Sequence, residues 1–129
     1  MAVPLLVASH EAHEAVKQWA RGRTLALSGH ALAETYSVLT RLPGDARLTP
    51  ADAVVLIDEN FARNVALPPE AASAAHRDLA RLGIAGGAAY DGLVALAAQR
   101  YDLMLATRDA RARSTYEAVG VRVAVVPGG

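Results

Sequence analysis

Four short apolar runs, Thr24-Leu25-Ala26-Leu27-Ser28, Asn64-Val65-Ala66-Leu67, Leu103-Met104-Leu105-Ala106 and Val121 to Val126, alternate with stretches of helical periodicity. Runs this short, bounded by turn and cap signals, read as strands, and the segments between them are long enough to be helices. Strands that alternate with helices favour crossover connections, hence an α/β domain whose mainly parallel sheet is covered on both faces. No linker, repeat or low-complexity tract interrupts the pattern, so residues 1–129 are predicted to form a single domain.

Local signals punctuate the helices. Leu6, His10, His13, Val16 and Ala20 recur near helical spacing, with Pro4 suited to a first turn, which predicts one helix over residues 5–20. A second is expected from about His30 to Leu42, before the turn Pro43-Gly44-Asp45. In Thr49-Pro50-Ala51-Asp52 a capping threonine, a proline at the first helical position and a carboxylate three residues beyond the cap open a third, running to about Phe61. Pro68-Pro69-Glu70 opens a fourth that ends before Gly83, Gly86-Gly87 leads into a fifth over Ala88 to Arg100, and Asp109 to Val119 forms the last. The tail Pro127-Gly128-Gly129 is expected to fray.

Composition removes several function classes. The chain has no cysteine, which excludes a disulfide scaffold, a cysteine zinc site and a thiol nucleophile, so any metal must sit on oxygen or imidazole. No stretch approaches the roughly 18 apolar residues of a membrane span, and Met1-Ala2-Val3-Pro4 lacks the basic start of a secretory signal; a cytoplasmic location is expected. Thirteen basic residues balance thirteen acidic ones, which argues against a protein that coats nucleic acid generally, but not against an enzyme that holds RNA locally.

Three carboxylates stand out. Asp91 is the only charge in Ala88 to Ala98, a segment apolar nearly all round; a carboxylate there must be paired, hydrogen-bonded or on a metal, unless it lies in the exposed first turn where the helix dipole favours it. Glu34 lies about 40° from Val38 on a helical projection and so borders the apolar stripe, where it either serves a site or pairs with an arginine such as Arg41. Asp109 comes just after the third apolar run; it is placed to cap a helix, and it also lies at the carboxyl end of a strand, where open parallel sheets bind ligands. Acids converging from three segments would raise one another's pKa values without a cation, and an all-oxygen set suits Mg²⁺ or Mn²⁺. Arg108, Arg111 and Arg113 are placed either to steer a phosphate backbone or to form a solvated helix face.

Other candidates carry less. His10 and His13 lack the spacing of a zinc protease helix and read as a surface or dimer-facing pair. His30, at the start of the second helix, is either structural or close to the carboxylates; His76 reads as a surface residue. The glycines of Gly83 to Gly87 come without a lysine and form no phosphate loop, and no serine lies in a nucleophile elbow.

Taken in order, Glu34, Asp91 and Asp109, in the contexts HALAETYSVLTRLPGDARLTP, GIAGGAAYDGLVALAAQR and LMLATRDARARSTYEAVGVRV, resemble the PIN domain, and more narrowly the VapC-type toxin ribonucleases of toxin–antitoxin pairs. The resemblance covers essentially the whole chain from about Val3. It implies a three-layer α/β/α sandwich, often dimeric, that cuts single-stranded or looped RNA with Mg²⁺ or Mn²⁺. Asp91 matches the aspartate that binds metal directly, Glu34 the acid that positions water or a second cation, and Asp109 the acid that completes the pocket. Thr107 falls on the accompanying hydroxyl position; Arg108, beside Asp109, and His30, at the start of the second helix, are supporting candidates by their positions alone. A small antitoxin is the implied partner, its C-terminal segment lying over the acidic pocket.

The resemblance departs from the family at one point. Members open with a hydrophobic central strand ending in an aspartate, whereas MAVPLLVASHEAHE resembles the segment of those proteins that lies C-terminal to that aspartate. Either the natural start lies upstream or the chain is a truncated, impaired variant; the first is favoured, since losing a central strand orphans buried backbone groups at about 1 kcal/mol or more each. If residues 1–129 are complete, metal affinity and activity are expected to be severely reduced. Two other functions remain to be weighed against the nuclease. One is a non-catalytic binding or dimerisation module on the same fold. The other, a receiver-like phosphoacceptor, is disfavoured because it needs a late lysine and the only lysine is Lys17.

Overall fold

The computed structural model describes residues 2–126, so the expected frayed tail lies outside the described residues. Two compact units emerge, one comprising residues 2–27, Ala31–Asn64 and Val126, the other comprising Ser28–His30 and Val65–Val125.

The first unit is helical: α1 (Ala2–Leu6), α2 (His13–Ala20), α3 (Ala31–Arg41) and α4 (Pro50–Asn60), with a short 3-10 turn at Gly44–Ala46. Its core gathers Leu27, Leu39, Ala53, Ile57 and Phe61, against which Leu5, Leu6 and Leu48 pack. Thr49 caps α4 as expected, its Oγ1 accepting from Asp52 N at 3.2 Å with Pro50 at the first position. The single helix predicted over residues 5–20 is corrected to two. Ala12 N donates to the His10 Nδ1 at 3.1 Å in place of a helical carbonyl, and the His13 Nδ1 donates to Pro4 O at 2.8 Å. Both histidines therefore hold a corner of their own backbone, a use that their spacing did not suggest.

The second unit contains α5 (Pro69–Arg81), α6 (Ala88–Arg100), β1 (Leu105–Thr107), α7 (Ala110–Val119) and β2 (Val123–Val125). β1 and β2 pair in parallel, Leu105 with Val123, Ala106 with Ala124 and Thr107 with Val125, and α7 is the crossover that a parallel pair requires. Asp109 caps its start, and Gly120 ends it in the left-handed region at φ 93°. The α6 face formed by Gly92, Val94, Ala95, Ala97 and Ala98 is buried. A Cβ on Gly92 would run into the Leu79 Cδ2 methyl, so any larger residue there requires the Leu79 side chain to shift.

The α/β class and the parallel pairing agree with expectation, but the ladder is smaller than predicted. Among the described residues the first two apolar runs meet only at one parallel bridge, Ser28 with Val65. One reason is that Leu27 N donates to the Asn64 side-chain oxygen at 2.8 Å, where a regular strand would use a backbone carbonyl.

Candidate functional site

Asp109 stands just past the carboxyl end of β1 on a turn built from its neighbours. The buried Thr107 hydroxyl accepts from Asp109 N at 3.0 Å, and Asp109 Oδ1 accepts from Arg111 N at 2.9 Å. Both roles expected of this aspartate thus occupy one place: it is the N-cap of α7, and its exposed carboxylate lies at a strand end. The arginines around it divide. Arg113 Nε donates to Glu117 Oε1 at 2.9 Å along α7, Arg111 is exposed, and Arg108 is half-buried with its Nε lacking a hydrogen-bond partner among the described residues.

Asp91 lies in the first turn of α6 and is half-buried. Its position reconciles a carboxylate with an otherwise apolar helix, because the unpaired N–H groups and dipole of a helix start favour negative charge. Directly before it, Tyr90 stacks on His30, with ring centroids 4.8 Å apart and planes inclined by 28°.

Two hydrogen bonds and one close backbone approach bring His30 to that stack. Ser28 Oγ donates to Val94 O at 3.0 Å, Gly29 N donates to Val65 O at 2.7 Å, and Gly29 adopts φ +54° where a Cβ would stand 3.0 Å from Leu93 O. Ser28 was excluded as a nucleophile from its sequence context; here its hydroxyl joins the chain to α6.

Glu34 belongs to the first unit, in the first turn of α3, and its side chain is exposed while Thr35 and Leu39 form the buried stripe. Asp91, Asp109, Thr107, Arg108 and His30 belong to the second unit. Within either unit, among the described residues, no group of three or more His, Asp or Glu side chains is gathered to hold a metal ion. The donor chemistry nevertheless fits a hard cation: the sequence has no thiol, and the cap bond engages only one oxygen of Asp109. An aromatic side chain, Tyr90, thus stands immediately before the one carboxylate of this apolar helix.

A short βαβ unit with acids at helix starts and past a strand end, on an α/β frame, is a class of site rather than an identity. Comparison with known families supplies the class: the PIN domain model matches residues 2–118, and the chain belongs to that family. Over 125 residues it is 56% identical to Ribonuclease VapC27 of Mycobacterium tuberculosis (strain ATCC 25618 / H37Rv), covering 97% of this chain and 91% of that protein. It is 42% identical over 118 residues to Ribonuclease VapC40 of two strains of the same species, CDC 1551 / Oshkosh and ATCC 25618 / H37Rv, covering 91% of this chain and 87% of each relative. No solved structure matches.

Proposed function

We propose that this protein is an endoribonuclease of the VapC type, the toxin of a toxin–antitoxin pair that hydrolyses RNA phosphodiester bonds. The observation that carries the proposal is the 56% identity to Ribonuclease VapC27 across 97% of the chain. The match of one PIN model to residues 2–118, which span both compact units, supports reading them as one domain.

In this reading Glu34, Asp91 and Asp109 are the catalytic acids and would hold Mg²⁺ or Mn²⁺. Such an ion, when bound, supplies a more acidic water and neutralises charge developing on the phosphodiester. The residues of the chain do the rest. Thr107 fixes the backbone of Asp109 and so aims its carboxylate; Arg108 offers positive charge to a phosphate at the strand end; His30 supports the start of α6 beside Asp91. A cognate antitoxin restrains the enzyme, RNA is its substrate, and a homodimer in the cytoplasm is its working form. None of the helices is long and apolar enough to cross a membrane among the described residues.

The test is cleavage of a pool of structured and single-stranded RNAs by antitoxin-free protein, with Mn²⁺, with Mg²⁺ and with chelator. Cutting that needs the metal and falls at least about 100-fold in Asp91→Asn would support the proposal, since even residues behind a metal ligand are typically worth about 10 to 100-fold. No cutting by folded protein on a broad pool would indicate a PIN-fold binding module instead.

A further inference from the structure

The stacked pair beside Asp91 has features that a purely structural stack does not need. Tyr90 is 54% exposed although it sits on a helix whose neighbouring positions Gly92, Val94 and Ala95 are buried. Tyr101, at the other end of α6, is similarly exposed but uses its hydroxyl, donating to Ala66 O at 2.9 Å. Among the described residues Tyr90 makes no such bond; its contact is the face of His30.

The support beneath it is unusually well specified. His30 comes directly after a glycine in the left-handed region that passes so close to Leu93 O that no other residue fits without strain, and Ser28 holds the same strand end to Val94 O. Backbone from a distant part of the sequence is thus secured to α6 one turn beyond Tyr90, which orients the imidazole under the phenol ring. The result is an aromatic surface held on one side and open to solvent elsewhere, immediately before an acid in the first turn of a helix.

We infer that the His30–Tyr90 stack is a nucleobase ledge: an unpaired base of the RNA substrate, next to the phosphate that is cut, stacks on the open part of Tyr90. The inference rests on the ribonuclease reading and adds how that substrate is positioned. Single-stranded and looped RNA offers bases free to stack on aromatic side chains, and such stacking tolerates any base because every base has a π-face. A ledge of this kind orders the strand locally without a basic surface, in keeping with a chain of zero net charge. Tyr90 is accordingly a positioning residue, and His30 acts through it.

Binding separates a ledge from a purely structural stack. In an Asp91→Asn background, which blocks cutting, fluorescence anisotropy would track a labelled single-stranded RNA of mixed sequence and the same sugar-phosphate chain without bases. Tyr90→Ala and Tyr90→Leu are expected to weaken binding of the RNA about tenfold while leaving the abasic chain unchanged; Tyr90→Phe binds as the parent does. With Asp91 restored, Tyr90→Ala raises KM more than it lowers kcat. If Tyr90→Ala and Tyr90→Leu change neither RNA binding in the Asp91→Asn background nor cutting with Asp91 restored, the ledge is wrong and the ribonuclease reading stands. Should the folded parent neither bind nor cut any RNA, both fall together.

Discussion

The hydroxyl of Ser28 donates a 3.0 Å hydrogen bond to the carbonyl of Val94, a buried contact between residues 66 positions apart. It joins the end of the first apolar run to the middle of α6, and Gly29 extends the same approach toward Leu93 O. The placement of His30 against Tyr90 depends on these two small residues.

Removing either should therefore act on stability first. Ser28→Ala loses one buried hydrogen bond and is expected to cost about 1 kcal/mol. Gly29→Ala combines a left-handed φ with a Cβ 3.0 Å from a helix carbonyl, and about 1–3 kcal/mol is expected. Urea denaturation of the two variants checks the order, Gly29→Ala being the less stable.

Asp109 caps α7, and substitution can separate that cap from the proposed metal-site role. Asp109→Asn and Asp109→Ser both keep an oxygen for Arg111 N, so each should unfold within about 0.5 kcal/mol of the parent, whereas Asp109→Ala should lose about 1 kcal/mol. If Asp109 is a metal-site acid, RNA cleavage falls in all three alike. Parallel denaturation and cleavage measurements decide this, and full activity in Asp109→Ser would reduce the residue to a cap.

Glu34 offers the opposite contrast. Its side chain is exposed and takes no part in the core of its unit, so Glu34→Gln should leave stability within about 0.5 kcal/mol. Cleavage should nevertheless drop by about tenfold or more if this acid positions water or a cation. Equal activity in the glutamine variant would remove Glu34 from the site.

Gly92 tests the packing behind the acids. Gly92→Ala drives a methyl into the Leu79 side chain, itself buried, and should destabilise the protein by about 1–3 kcal/mol through overpacking. Thermal denaturation of Gly92→Ala measures the loss, and an unchanged midpoint would mean that Leu79 repacks freely.

Local chemistry was legible where its cause was local. The Thr49 cap with Pro50 behind it and the Asp109 cap arise from residues within a turn of one another, and they, like the helix Ala88–Arg100, stand where the sequence puts them. The three acidic contexts were likewise visible, and with them the family to which the chain belongs.

What the chain could not state in advance were competitions between partners distant in sequence or alternative in kind. The periodicity from Leu5 to Ala20 is helical throughout, but the His10 ring takes the N–H of Ala12 and the His13 ring reaches Pro4, so the helix divides. Thr24 to Ser28 has the composition of a strand, but a strand exists only where another backbone pairs with it, and Asn64 meets Leu27 with a side chain instead. The same dependence on long-range partners seats His30 on Tyr90. Periodicity and caps are properties of neighbours along the chain; which backbone a strand pairs with, and which ring lies beneath a tyrosine, is decided only when the segments meet.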